Sequence, residues 1–329
     1  MSAKLPNAVS STFTRRKRSE PDAKRLAALL LSPSIAIILL VVALPLGFAF
    51  YLSLQKAEPM VGGIEMSWAG LSNYAYYLFE DSLFWPALRV TMYFTIVSLV
   101  IELVLGIGMA LVLNKRFAGR GVVRSLILLP WAVPTVVNAR MWEWIFAGAN
   151  YGALNGLMHV FGLLPRGQDA VWLNFDVPFA GVPLLGSLMQ WIGATNALHM
   201  IIIADTWKVT PLVTLLVLAG LQTINPSLYE AAEVDGASAW RRFRAITMPM
   251  LRPILLVVLV LRTMELFRVF DIIYIIMQYS IRVLGVYTYE VGMKFLHFGA
   301  GSAMSFLIGL LIMGLAFLYM KTLHSETTD

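Results

Sequence analysis

The sequence predicts an all-α polytopic membrane protein with six membrane-spanning helices. Of its 329 residues, 59% are hydrophobic and only 13% charged, whereas a soluble domain carries about 25% charged residues. Two stretches, Leu26–Leu54 and Ala300–Met320, contain no Asp, Glu, Lys or Arg and exceed the roughly 20 residues that span hydrocarbon. Lys and Arg also cluster on alternate connections, as the positive-inside bias requires.

Apolar runs place the spans near Leu26–Leu52, Leu88–Leu113, Val122–Phe146, Leu198–Leu221, Pro253–Ile276 and Ala300–Met320. The third and fifth contain charges and lean on topology. With both termini in the cytoplasm, sixteen of the 25 Lys and Arg fall inside and only Lys56, Arg166, Arg282 and Lys294 outside. The expected organisation is a basic cytoplasmic tail (1–25), a first span with its outer loop (26–87), a core of residues 88–322 and a cytoplasmic tail (323–329). Residues 177–204 form a further uncharged stretch. A seventh crossing there would place Arg241, Arg242 and Arg244 outside, so an interfacial or re-entrant segment is expected. The net charge of +6 is explained by orientation and lipid headgroups rather than nucleic acid. No cysteine is present, which excludes disulfides and thiolate chemistry.

The connection between the fourth and fifth spans, residues 225–249, predicts two short helices. Asn225 is placed to cap the first, Pro226 fits its first position, and Gly236 permits a turn. The second is expected from Ser238 to Ile246, after which Pro249 and Pro253 redirect the chain into the fifth span. Acidic Glu230, Glu233 and Asp235 and aromatic Trp240 suit docking into a groove on a partner. An ordinary amphipathic connector, with alanines chosen for helix propensity, is the alternative.

Glu230-Ala231-Ala232, Gly236, Ile246 and Pro249 stand at the spacing of the EAA loop of ABC importer permeases, with Met248 replacing a leucine. Leu128-Leu129-Pro130-Trp131, Asp205-Thr206-Trp207-Lys208 and Val269-Phe270-Asp271 extend the resemblance over Leu26 to Met320. The chain thus resembles a binding-protein-dependent ABC importer permease of the sugar branch. The resemblance implies a six-helix type I transmembrane domain in a bacterial or archaeal cytoplasmic (inner) membrane. It also implies a second permease as heterodimer partner, an ABC ATPase dimer and an extracytoplasmic solute-binding protein. Tyr229, Glu230, Ala231, Ala232, Glu233, Asp235, Gly236 and Ala237 become the expected ATPase-coupling residues. Asp205, Trp207, Lys208, Val209 and Leu212 become the expected lining of a sugar site. The family often has a longer Gly-Gly-Pro segment where this chain runs Met277 to Arg282, so contacts made there do not carry over.

Intramembrane charges are costly and mark function by default. Arg262, Glu265, Arg268 and Asp271 alternate in sign three residues apart, a spacing at which helix neighbours pair. They are read either as a self-neutralising brace or, for Glu265, Arg268 and Asp271, as solute contacts. Glu102 is expected to hydrogen-bond a neighbouring helix. Lys208 and Arg268 also suit an anionic sugar derivative and do not decide the solute. Pro211 is expected to break the fourth helix locally, and Trp142 and Trp144 to join an interfacial belt. His159, His199 and His297 are too far apart in sequence to suggest a metal site.

The chain has no Gly-x4-Gly-Lys-Ser/Thr loop, so ATP and Mg are expected on a separate ATPase and no cofactor on this chain. An ion-coupled secondary transporter using the Arg262–Asp271 ladder should show an inverted repeat, and none is found. A membrane enzyme with Glu102, Asp205 or Glu265 as acid or base lacks a nucleophile at mechanistic spacing.

Overall fold

The computed structural model describes residues 20–148, 151–165 and 167–324. Lys4, Arg15, Arg16, Lys17 and Arg18 of the basic tail, Arg166, and residues 325–329 of the C-terminal tail lie outside the described residues. Contacts divide the chain into residues 1–51 and 52–329.

The first unit is dominated by α1, Lys24–Ser53, which contains Pro33 and a π-helical turn at Leu39–Ala43. The second opens with an antiparallel hairpin of β1 (Gln55–Met60) and β2 (Gly63–Trp68). The helical reading did not anticipate this hairpin. Every residue of β2 is exposed, so no apolar alternation marks it in the sequence.

Next come α2 (Phe84–Asn114), α3 (Arg120–Ile127) and α4 (Thr135–Ile145). The predicted third span is not one straight helix. Arg120–Ala132 and Thr135–Ile145 meet at 90°, because Pro134 lacks an amide and pushes Val133 into an extended conformation (ψ 127°). After α5 (Ala153–Val160), residues 177–204 contain the short α6 (Pro183–Ile192), which ends at left-handed Gly193. Ten residues rise about 15 Å, too little to cross a bilayer, so α6 is not a seventh span.

The fourth span is α7, Asn196–Thr223, capped by Thr195, which accepts from the Leu198 amide at 3.3 Å. Pro211 does not break it, contrary to expectation. The hydroxyls of Thr210 and Thr214 bond back to the carbonyls of Thr206 and Thr210 (2.7 and 2.9 Å), the kind of local compensation that lets membrane helices tolerate proline.

The loop helices are α8 (Pro226–Val234) and α9 (Ala239–Arg242). Pro249 and Pro253 do not redirect the chain either. From α9 the chain passes through a π-helical turn, Phe243–Thr247, directly into α10, Met248–Phe267. The wider turn accommodates Pro249 in the first turn of α10, where its missing amide is harmless. The fifth span then breaks at Arg268–Phe270 before α11, Asp271–Met277. Gly285 in α12 (Leu284–Tyr289) lies against this break, where any Cβ would collide with the Val269 carbonyl. The last span is α13, Phe298–His324.

Among the described residues, five helices are long and apolar enough to cross a membrane, and the bent pair makes up to six. Helices α2 and α7 pack along their length. Buried Phe94, Ile201, Ile202, Leu266 and Ile273 fill the space among α2, α7, α10 and α11. Ala110, Val213, Val217, Leu251 and Val258 close the end nearer the 225–249 loop.

Candidate functional site

Residues 205, 208, 209 and 212 share one face of α7, following the i, i+3, i+4, i+7 pattern. Asp205, Lys208 and Val209 meet Arg262, Glu265, Arg268 and Asp271 around a cavity of about 450 Å³, with Trp131, Thr135 and Phe270 completing the wall. Six of the eight expected solute residues are thus brought together.

Two are not. Leu212 shares the face but lies one turn further along α7 and does not line the cavity. Trp207 is 200° around the helix from Asp205 at 100° per residue, so it points elsewhere. It lines a separate apolar groove with Ile101, Leu105 and Pro130 and meets Trp142 edge-on at 5.8 Å. Trp142 therefore turns inward rather than joining an interfacial belt, while Trp144 is exposed. The aromatic surface facing the cavity comes instead from Trp131 and Phe270, the latter stacked on Tyr274 at 5.0 Å.

A buried arginine anchors the wall. Arg262 donates from Nε and Nη2 to the two oxygens of Glu102, both at 2.7 Å, from Nη2 to Asp205 at 3.1 Å, and from Nη1 to Glu265. Its side chain is 5% exposed and that of Glu102 is 0%, while Asp205 and Glu265 reach the cavity at 14% and 50%. Three helices, α2, α7 and α10, are tied through one guanidinium. This is the neighbouring-helix bond expected of Glu102, and its partner lies 160 residues away. Arg262 was not among the expected solute contacts, yet it borders the cavity and fixes two carboxylates that face it.

The break after α10 changes the ladder. Arg268 caps α10, donating from Nε to the Met264 carbonyl at 3.2 Å, and Asp271 starts α11. The four charges therefore do not sit on one continuous helix, and only Arg262–Glu265 pairs at i, i+3. Lys208 Nζ donates to Thr135 Oγ1 at 3.0 Å, joining α7 to the start of α4.

A larger cavity, about 790 Å³, lies among Lys56, Glu58, Tyr76, Tyr77, Arg282 and His297. Most of its charged groups are paired: Arg282 with Glu290 at 3.2 Å, His297 with Glu58 at 3.5 Å and Lys56 with Glu58 at 3.9 Å. Tyr287 donates to Asp81 at 2.9 Å, and burial followed by that bond pushes the phenol pKa upward, keeping it a donor. His159 and His199 are engaged elsewhere, His159 on Asp169 (2.9 Å) and His199 on Tyr93 (2.6 Å).

The 225–249 loop forms a braced projection. Asn225 caps α8, accepting from the Ser227 amide at 3.1 Å, and Ser238 caps α9. Between them Gly236 has φ +73°, a left-handed conformation available to glycine. Tyr229 hydroxyl meets Thr247 Oγ1 at 2.9 Å, and Arg242 pairs with Glu233 at 3.1 Å. Tyr229 therefore braces the loop rather than being presented. Glu230 and Ala231 are exposed, as is Val234 at 88%. At i+4 and i+3 these three share one face of α8. Val234 was not singled out from the sequence, and an exposed valine beside Ala231 on a polar helix is the signal that would have found it.

With this architecture in view, residues 102–323 match the family described as the binding-protein-dependent transport system inner membrane component. The chain belongs to that family. It is 38% identical over 305 residues to the trehalose/maltose transport system permease protein MalF of Thermococcus litoralis, covering 90% of this chain and 93% of that one. It is 35% identical over 311 residues to the trehalose transport system permease protein SugA of Mycobacterium tuberculosis, covering 93% and 91%. A crystal structure of a bacterial ABC transporter involved in import of the acidic polysaccharide alginate shares the fold at a TM-score of 0.72 and 22% identity, over 93% of this chain and 98% of that chain. The protein is thus a multi-pass inner-membrane component of a transport system, not a catalytic enzyme. Nothing found supports an ion-coupled secondary transporter.

Proposed function

We propose that this permease conducts a sugar or sugar-derived solute through the Asp205–Arg268 cavity, driven by a separate ATPase that docks on the 225–249 loop. The observation that carries this reading is helical continuity. The helical rod from Ala239 to Phe267 has the exposed loop at one end and Arg262 and Glu265 of the cavity at the other. At 1.5 Å per residue it spans about 40 Å, so motion imposed on the loop is delivered to the cavity. The names of the trehalose and maltose relatives support the sugar. Chemically, Asp205 and Glu265 accept hydroxyl protons while Trp131 and Phe270 offer apolar faces.

In this reading the loop and both termini are cytoplasmic, and a second permease completes the cavity as a heterodimer. An ATPase dimer uses ATP and Mg, and an extracytoplasmic binding protein delivers solute. Closing of the ATPase pair draws the loops together and reorients the cavity, which is alternating access. Glu230, Ala231, Ala232, Glu233, Asp235, Gly236 and Ala237 form the docking segment, and Tyr229 holds it.

The solute site is tested by uptake in proteoliposomes. Asp205→Ala is expected to lower apparent solute affinity by about tenfold to a hundredfold, the worth of a hydrogen bond to a charged group. Trp207→Ala is expected to leave affinity within about twofold, since its ring is outside the cavity. Loss of affinity in Trp207→Ala with none in Asp205→Ala would reject this cavity.

A further inference from the structure

Helix α6, Pro183–Ile192, is closed on one side and open on the other. Its inner side carries Gly186, where an added Cβ would stand 2.8 Å from the Phe179 carbonyl oxygen, so the helix lies directly on the turn before it. Leu184, Leu188 and Trp191 recur at i, i+4 and i+7, which sets them on one face. That face is open, the three side chains being 86%, 47% and 63% exposed. Residues 177–204 include no Asp, Glu, Lys or Arg, so the segment brings no charge of its own to the face.

The height of α6 is set by α2. Arg89 lays its guanidinium over the Trp191 ring at 4.5 Å and donates from Nη1 to the Trp191 carbonyl at 2.8 Å. Along α2, Arg89 and Lys115 flank the apolar stretch, and Glu102, the one charge between them, is fully buried. Residues 90–114 rise about 37 Å, against about 30 Å of hydrocarbon. With that stretch centred in the bilayer, Arg89 lies about 4 Å beyond the hydrocarbon edge. Trp191 is held beside it, at the level of the headgroups where an indole is favoured.

We infer that α6 is a lipid anchor, lying along the headgroup boundary with Leu184, Leu188 and Trp191 seated among the acyl chains. Depth selects this occupant. Interfacial helices bury their apolar face about 5–10 Å into that boundary, whereas a soluble protein resting on the headgroups meets only what stands above them. Helix α6 is bonded to α2 through Arg89 and is followed by α7 at Asn196. The anchor therefore holds one end of each of the two helices that carry Glu102 and Asp205. Assignment to the outer leaflet rests on the orientation proposed above; the depth does not.

The chain has no cysteine, so Leu184→Cys, Leu188→Cys and Gln190→Cys each place one nitroxide spin label on α6. Gln190 is also exposed but lies about 120° around the helix from Leu184. The labels are read in the assembled complex, reconstituted in liposomes of phosphatidylethanolamine and phosphatidylglycerol, with the unsubstituted complex carried through the same labelling as background. Power saturation compares collisions with oxygen, which concentrates among acyl chains, and with a nickel chelate that stays in water. Labels at 184 and 188 are expected to favour oxygen over the chelate by about threefold or more relative to the label at 190, as a face inside the boundary requires. Labels at 184 and 188 that favour the chelate lie in water, and labels reached by neither reagent lie against another protein subunit; either result overturns the proposal. These readouts need no transport, so they stand or fall separately from the function proposed above.

Discussion

Arg262→Met is expected to abolish solute uptake and to cut the amount of folded permease in the membrane. The substitution leaves Glu102 fully buried with no cation and strips Asp205 and Glu265 of their shared donor. Removing one partner of a buried ion pair costs about 3–5 kcal/mol, a large part of a domain's total stability. The same physics gives an unusual second expectation. Arg262→Met combined with Glu102→Leu removes both buried charges and should recover most of the lost stability, because an apolar pair of similar volume is often neutral or better. Uptake should not recover, since Asp205 and Glu265 lose the group that fixes them at the cavity. Thermal unfolding of purified complexes measures the first effect and proteoliposome uptake the second. A double variant no more stable than Arg262→Met would show that Glu102 is not the main partner.

Val234→Asp is expected to abolish ATP-driven uptake while leaving the permease folded. Its side chain is 88% exposed and is not part of any buried core cluster, so a folding defect has no source within the chain. Val234 shares the exposed face of α8 with Glu230 and Ala231 of the proposed docking segment, so burying an unpaired carboxylate there on docking costs at least about 2–4 kcal/mol, a loss of about thirtyfold to a thousandfold in affinity at 1.4 kcal/mol per decade. Co-purification of the ATPase with the permease reads this directly. Gly236→Val should act in the same direction through its backbone, since φ +73° is unfavourable for a β-branched residue although no atom lies within 4 Å of the added Cβ.

Spans one, two, four and six were legible because long uncharged runs admit no other solution, and each helix ends within about four residues of its expected limits. The loop was legible for a different reason: Asn225, Pro226, Gly236 and Ser238 each supply a local backbone preference that nothing in the tertiary structure opposes. Where the reading departed, tertiary packing decided. The bend at Val133–Pro134 and the break at Arg268–Phe270 fall in the two charge-bearing spans, whose apolar pattern gives no local sign of where the helix stops, while the π-helical turn at Phe243–Thr247 carries the chain past Pro249, which looked like a stop. Half of the candidate site, residues 205, 208 and 209, came from the family resemblance, and helix spacing agrees with it by setting the three on one face. The same arithmetic sets Trp207 on the far side, so its expected role rested on resemblance where periodicity opposed it. The Glu102–Arg262 pairing, across 160 residues, has no local signature.

The sidedness of the 225–249 loop decides whether a motor can reach it. The chain has no cysteine, so Val234→Cys introduces a unique thiol on the exposed face of α8. A membrane-impermeant maleimide added to intact cells is expected to leave it unlabelled and to label it only after the membrane is opened. Labelling of Val234→Cys from outside intact cells would contradict the account.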